Sequence, residues 1–218
     1  MCIRQRYRPR AFSDLIFPTA SVEMELTYYA QAGQTSSPGN LLLHGPIGTA
    51  KTTVVSVLAH HLLGETYTFN ASVVSGSDIT TAAQVRAAIA QTVSLVPVEH
   101  TYRIIVIDEL CAMSREGQRL LRSMIDTHQD HCVFLLTANN IDVIDRGVIS
   151  RCRTIRFGHA APDRWLQRAK KIVAGEHISL SDDILMAAIE GAEGDVRRLI
   201  QNLQDLVNLT KEQCLLRP

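Results

Sequence analysis

Leu41-Leu42-Leu43-His44-Gly45-Pro46-Ile47-Gly48-Thr49-Ala50-Lys51-Thr52 is the stretch that decides the fold. A short apolar run enters a glycine-bearing turn, and the turn opens a helical stretch from Lys51 to Leu63. Gly45 to Thr52 has the form G-x-x-x-x-G-K-[ST] with one departure. Backbone N–H groups of such a loop and of the helix behind it face phosphates. Lys51 is expected to neutralise the β- and γ-phosphates of ATP, and the Thr52 hydroxyl to bind Mg2+; Thr53 follows in the same turn. The departure is Ala50, where the pattern has glycine. Its methyl is expected to crowd the phosphates to a degree set by φ.

Working outward, apolar and helical stretches alternate. Residues 1–22 are arginine-rich and read as irregular, with Pro9 and Pro18 blocking a long helix. Residues 23–33 read as a helix and 34–40 as a loop. Tyr67 to Asn70 reads as a second strand, Ser72 to Asp78 as a loop, and Ile79 to Ser94 as a helix. Arg103 to Ile107 is apolar on both faces, as a strand inside a parallel sheet should be. A helix from Ser114 to Asp126, a buried strand from Cys132 to Thr137 and an alternating edge strand from Arg153 to Phe157 follow. The expected fold is α/β, a nucleotide-binding base over residues 1–158 with a mostly parallel five-stranded sheet. Beyond Gly158 the pattern becomes purely helical, with stretches starting at Pro162, Ser181 and Asp195. That predicts a small three-helix lid over 159–218.

Composition sets the bounds. The 218 residues are 46% hydrophobic and 20% charged, with zero formal net charge. That is an ordinary globular balance, and contact with nucleic acid would need a local patch or an assembly. No apolar run approaches the ~20 residues that cross a bilayer, so no membrane role is expected. Cys2, Cys111, Cys132, Cys152 and Cys214 form no C-x-x-C pair. The expectation is reduced thiols, no zinc site and a cytoplasmic location, which would be the host cytoplasm for a phage-encoded chain.

Four further elements carry chemistry. Ile104-Ile105-Val106-Ile107-Asp108-Glu109 places two acids at the carboxyl end of a buried strand, where open α/β sheets bind ligands. Asp108 suits a Mg2+ ligand, and Glu109 a general base that polarises the attacking water. Asn139, after the next strand, suits a group holding that water, although asparagine also favours plain turns. Arg151, in Ser150-Arg151-Cys152, is on local grounds a surface charge; the alternative is an arginine finger completing a neighbour's site. Gly194-Asp195-Val196-Arg197-Arg198 is a helix start whose arginines lie on a solvated face or turn toward the nucleotide.

Together these elements resemble the AAA+ ATPases, and most of all clamp-loader subunits: the large ATPase subunit of tailed phages and the replication factor C small subunits. Arg6-Tyr7-Arg8-Pro9-Arg10 with Phe12 and Asp14 is similar to the family's R-x-[KR]-Y-R-P-x-x-F-x-D opening. Ser150-Arg151-Cys152 matches its S-R-C motif and Gly194 to Arg198 its G-D-x-R-R sensor helix. The resemblance implies nucleotide contacts from Tyr7, Arg8 and Arg197, and a finger at Arg151 acting on the next subunit. It also implies a coupling role for Gln118, which would link DNA contact to Glu109. Arg86, Arg119, Arg122 and the Ser75 to Asp78 loop would lie near the DNA backbone. The implied partners are identical or homologous AAA+ subunits in a ring, a small clamp-loader subunit, a sliding clamp and primer–template DNA. The family's third, helical collar domain has no counterpart before Pro218. A partner would supply it, or assembly would depend on ATP and DNA, or the chain is a fragment. The alternative function is a regulatory or scaffold module that binds ATP and a partner protein without loading a clamp.

Overall fold

The structure is a computed structural model, and it describes residues 2–215. The first helix, α1, is one turn, Ile3–Arg6; the 3-10 turn Phe12–Asp14 and helix α2, Ala20–Ala32, follow. Strand β1 is Asn40–His44 and helix α3 Lys51–Leu63. Next come α4, Tyr67–Asn70, strand β2, Ala71–Ser75, and helix α5, Ala82–Val93. Strand β3, Arg103–Asp108, helix α6, Arg115–His128, and strand β4, Cys132–Ala138, form the middle of the chain. The short α7, Arg146–Ile149, leads into strand β5, Cys152–Arg156. Helices α8, Pro162–Gly175, α9, Asp182–Glu190, and α10, Val196–Leu215, close the chain.

Among the described residues the strands form one five-stranded sheet in the order β2-β3-β4-β1-β5, with every ladder parallel. The α/β class and the five-stranded sheet are therefore as expected. Strands β1, β3 and β4 lie inside the sheet with their aliphatic side chains buried on both faces, while β5 at one edge buries Ile155 and exposes Arg153, Thr154 and Arg156. Two hydrophobic clusters cover the sheet faces. One holds α3 and Leu15, Phe17, Leu26 and Tyr29; the other holds α5, α6 and Val148. A third cluster joins α8, α9 and α10, and Ile3 from the chain start is buried within it.

Three expectations need correction. Tyr67 to Asn70 is helical, and the strand is the segment behind it. The side chain of Asn70 hydrogen-bonds both backbone groups of Val98, at 2.8 and 2.9 Å, and Arg103 donates to the Phe69 carbonyl at 2.6 Å. These long-range bonds hold the turn against the β propensity of tyrosine and phenylalanine. Ala71 to Ser75, expected in part as loop, pairs along β3 in the register Ala71↔Ile104 to Ser75↔Asp108. An edge position leaves Val73 exposed, and two valines set among serines are too short a run to announce the strand. The chain start is also less irregular than expected. Ile3–Arg6 is a helical turn, and Thr19 caps α2 by accepting from the Val22 amide at 3.2 Å.

Candidate functional site

The carboxyl ends of β1, β3 and β4 open on one cavity of about 460 Å³. Its floor is the turn between β1 and α3. Two glycines make that turn possible: Gly45 has φ +147° and lies against the Phe157 carbonyl, and Gly48 has φ +84°. Ala50, at the head of α3, also adopts the left-handed region, with φ 70°. An L-residue with a Cβ pays roughly 1–2 kcal/mol for that conformation, which glycine avoids. The departure from the pattern therefore costs backbone strain, whatever it does to the phosphates.

Within the turn Lys51 is only 6% exposed. Its ammonium donates to the Gly45 carbonyl at 2.8 Å and the Pro46 carbonyl at 2.7 Å. Thr49 donates to the same Pro46 carbonyl at 3.0 Å. Burial pushes the Lys51 pKa down, and the nearby carboxylate of Asp108 pulls it back up. Ile47, Gly48, Ala50, Lys51, Thr52 and Thr53 line the cavity. Gly45, Pro46 and Thr49 lie behind the lysine and hold it.

The facing wall comes from β3 and β4. Thr52 Oγ1 donates to both carboxylate oxygens of Asp108 at 2.8 Å, joining the loop to the end of β3. Thr137, 2% exposed on β4, donates to Asp108 and accepts from the Glu109 amide at 3.0 Å. Glu109 has φ 56°, a left-handed turn that ends β3 and leaves the residue exposed at the cavity. Gly76, at the end of β2, donates to the Asp108 carbonyl at 2.6 Å and packs so closely that an added Cβ would sit 2.4 Å from the Glu109 carbonyl oxygen. Asn139 lines the same wall.

The helical side closes the cavity. Val196 N–H donates to the Gly48 carbonyl at 2.9 Å, and Asp195 stands where a Cβ on Gly48 would be. The Asp195 carboxylate caps α10 by accepting from Arg197 N–H at 2.7 Å. Arg197 then faces the cavity, while Arg198 turns away to pair with Glu193 at 3.0 Å. Tyr7, Arg8 and the lone Trp165 also line the cavity.

The structure thus brings Tyr7, Arg8, Ile47, Gly48, Ala50 to Thr53, Asp108, Glu109, Asn139 and Arg197 to the cavity, sets Gly45, Pro46 and Thr49 behind Lys51, and leaves others out. Arg151 sits at the opposite end of the sheet. The Asn40 side chain donates to the Arg151 carbonyl at 3.1 Å, so this residue marks the start of β1, not its end. A five-residue strand at ~3.3 Å per residue separates it from the loop. Its guanidinium forms a two-point pair with Asp126, one contact at 2.8 Å, and donates to the Gly147 carbonyl at 2.8 Å. Gln118 is 2% exposed beneath the surface of α6. Arg86 on α5 and Arg119 on α6 are exposed, while Arg122 makes a 3.5 Å ion pair with Asp145. Thr137 and Trp165 were missed. A single hydroxyl in the buried run Cys132 to Ala138 was the signal for Thr137; Trp165 carried none, because an amphipathic helix uses tryptophan mostly for packing.

Oxygen donors from Thr52 and Asp108 at one point, beside a loop shaped for phosphates, fit Mg2+ bound together with a nucleotide. The cation prefers one or two carboxylates plus phosphate oxygens; Asp108 is such a carboxylate, the Thr52 hydroxyl stands beside it, and a nucleotide would add the phosphate oxygens.

This architecture of loop, acids and capping helix defines a class, and the comparisons agree. The chain belongs to the AAA family, the ATPase family associated with various cellular activities, whose match spans residues 41–159. Within it, the chain is similar to replication factor C small subunit 2 of Pyrobaculum aerophilum, 30% identical over 208 residues, covering 95% of this chain and 64% of that protein. It is also 31% identical to replication factor C subunit 4 of Schizosaccharomyces pombe, covering 93% of this chain and 59% of that one. The chain spans about three-fifths of the length of these relatives. Its fold matches that of Thermotoga maritima RuvB, a Holliday junction branch migration motor, with a TM-score of 0.77 at 18% identity, over 94% of this chain and 67% of that one. No helix among the described residues is long and apolar enough to cross a membrane.

Proposed function

We propose that this chain is an ATP-hydrolysing clamp-loader subunit, which opens a sliding clamp and loads it on primer–template DNA during replication. One observation carries the proposal. The groups for nucleotide binding and water activation converge on one cavity, and Arg151 lies a sheet length away, as a finger for a neighbour's site would. A hydrolytic set divided in this way needs a ring, and the similarity to replication factor C subunits names the kind of ring.

Each residue then has a task. Lys51 and the first-turn N–H groups of α3 bind the phosphates of ATP, and Tyr7 and Arg8 flank the nucleotide. Thr52 and Asp108 hold Mg2+, which supplies charge neutralisation at the phosphates. Glu109 takes a proton from the attacking water, and Asn139 orients that water. Thr137 keeps Asp108 and the Glu109 backbone in place. Arg197 contacts the nucleotide from α10, and the neighbour's Arg151 stabilises transition-state charge.

Coupling to DNA follows from Gln118. Its Nε2 donates to the Met113 carbonyl at 3.3 Å, a few residues from Glu109, and its Oε1 accepts from the Asp145 amide at 2.7 Å. Asp145 caps α7 by accepting from Gly147 N–H at 2.8 Å, and α7 runs into Arg151. A shift of α6 on DNA would therefore reach both the base and the finger. Arg86 and Arg119 are exposed on the packed pair α5 and α6 and are the proposed contacts to DNA phosphates.

The test is ATP turnover by the chain with and without primed DNA, the sliding clamp and a small clamp-loader subunit. Stimulation by these partners is expected. A rate indifferent to all three would sink the loader reading and leave the scaffold alternative, in which ATP and a partner protein are bound and no clamp is loaded.

A further inference from the structure

The chain start reaches the cavity by crossing between two hydrophobic clusters. Ile3 is buried with α8, α9 and α10, whereas Leu15 and Phe17 are buried against α3 and the sheet. The segment between them spans the gap and lines the cavity with Tyr7, Arg8 and Pro9. Its polar anchors belong to the helical side. Arg168 of α8 donates to the Tyr7 carbonyl at 2.9 Å and pairs with Asp14 at 3.1 Å. Ile3 N–H donates to Gln204 of α10 at 2.9 Å.

The centre of this anchoring is Glu176, which ends α8 and is 8% exposed. One carboxylate oxygen accepts from Arg6 at 2.6 Å and from the Tyr7 hydroxyl at 3.1 Å; the other accepts from Lys211 of α10 at 2.9 Å. Three donors around a nearly buried carboxylate hold its pKa down, the Lys211 hydrogen bond most of all. Beside it, Gly175 packs against the ring of Tyr7, and a Cβ there would lie 2.3 Å from the hydroxyl. The tyrosine is thus fixed from two adjacent positions, neither of which touches the cavity.

We propose that Glu176 is a positioning residue for nucleotide binding: by holding Arg6, Tyr7 and Lys211 on one carboxylate, it sets the Tyr7-Arg8-Pro9 wall of the cavity and ties that wall to the α8–α10 helices. The inference rests on the nucleotide reading of the cavity. It assigns affinity to a residue outside the pocket, in a helix remote from the phosphate loop.

The experiment is titration of the full chain with ATPγS, followed through the single tryptophan, Trp165, and confirmed by calorimetry. Glu176→Gln loses the charge that three donors share, and a charge-assisted bond justifies an expected weakening of about tenfold. Turnover at saturating ATP should be unchanged, so the loss appears in KM and not in kcat. Tyr7→Phe keeps the ring, removes one bond to Glu176, and should weaken binding by about threefold. In the double variant the effects should be less than additive. Asp182→Asn breaks the exposed Lys170–Asp182 pair elsewhere in the same helices and should leave affinity unchanged. Wild-type affinity in both Glu176→Gln and Tyr7→Phe overturns the inference, as does a fall in kcat at constant KM. If Glu176→Gln does not fold, Tyr7→Phe decides alone. Failure of the wild-type chain to bind ATPγS would overturn the nucleotide reading itself, and this inference with it.

Discussion

Ala50 and Thr137 show how much one residue decides at this site. Ala50 holds a left-handed φ of 70° at the head of α3. Ala50→Gly relieves that strain but gives the unfolded chain more freedom, so the net gain should be small, about 0.5 kcal/mol, by denaturant unfolding. Equal ATP affinity for the two forms would show that the methyl clears the phosphates. Thr137→Val keeps shape and loses two hydrogen bonds at once. The Glu109 amide is left without its partner, and a loss of roughly 1–3 kcal/mol in stability is expected, with slower turnover because Asp108 and Glu109 loosen together. Unchanged unfolding and turnover would mean that Thr137 is passive. The thiols differ by position: burial pushes Cys132 up to about 11 and Cys152 up to about 12. Thiolate is the reactive form, so at pH 8 both stay protonated and should resist alkylation by iodoacetamide, while the exposed Cys2 reacts. Peptide mapping of the alkylated sites checks this, and fast labelling of Cys132 would contradict it.

Among elements, α6 carries the connections. Gln118 on its buried face joins the turn after β3 to the cap of α7, and Asp126 near its end holds Arg151. Gln118→Leu strands the Asp145 amide and should cost roughly 1–3 kcal/mol. In the proposed function it should also remove stimulation by DNA while leaving ATP binding intact; retained stimulation would exclude Gln118 from the coupling route. The strands at the two edges were unequally legible. β5 has alternating polarity and was readable, with boundaries shifted by one residue. β2 is a short mix of alanine, serine and valine, and its partner is β3, some thirty residues away, so no local period encodes it. Tyr67 to Asn70 has the composition of a strand, but the Asn70–Val98 and Arg103–Phe69 bonds override it.

For the whole molecule, the separation of Arg151 from the cavity sets the strongest requirement. In the proposed function Arg151 is a finger at the start of β1, a strand length from the phosphate loop of its own chain, and acts on the neighbour. Arg151→Ala should therefore leave ATP binding unchanged and lower partner-stimulated turnover by at least about a hundredfold. Mixing it with an excess of Glu109→Gln, whose finger is intact, should restore turnover in the sites that the two chains share. A stimulated rate that survives Arg151→Ala would remove Arg151 as the finger.

That Gly45 to Thr52, the acids at the end of β3 and the start of α10 belong to one site could be expected from the sequence because each is a contiguous string with residue types and spacing that suit a nucleotide. Spacing alone also determined the α/β class, since buried parallel strands show as unbroken apolar runs. Four things were left to the tertiary structure: the place of β2, the Thr137 bridge, the distance of Arg151 from its own cavity, and the anchoring of Tyr7 by Glu176. Each depends on contacts between residues far apart in sequence. Such contacts are set by how the sheet and the helices pack, and no local pattern records them.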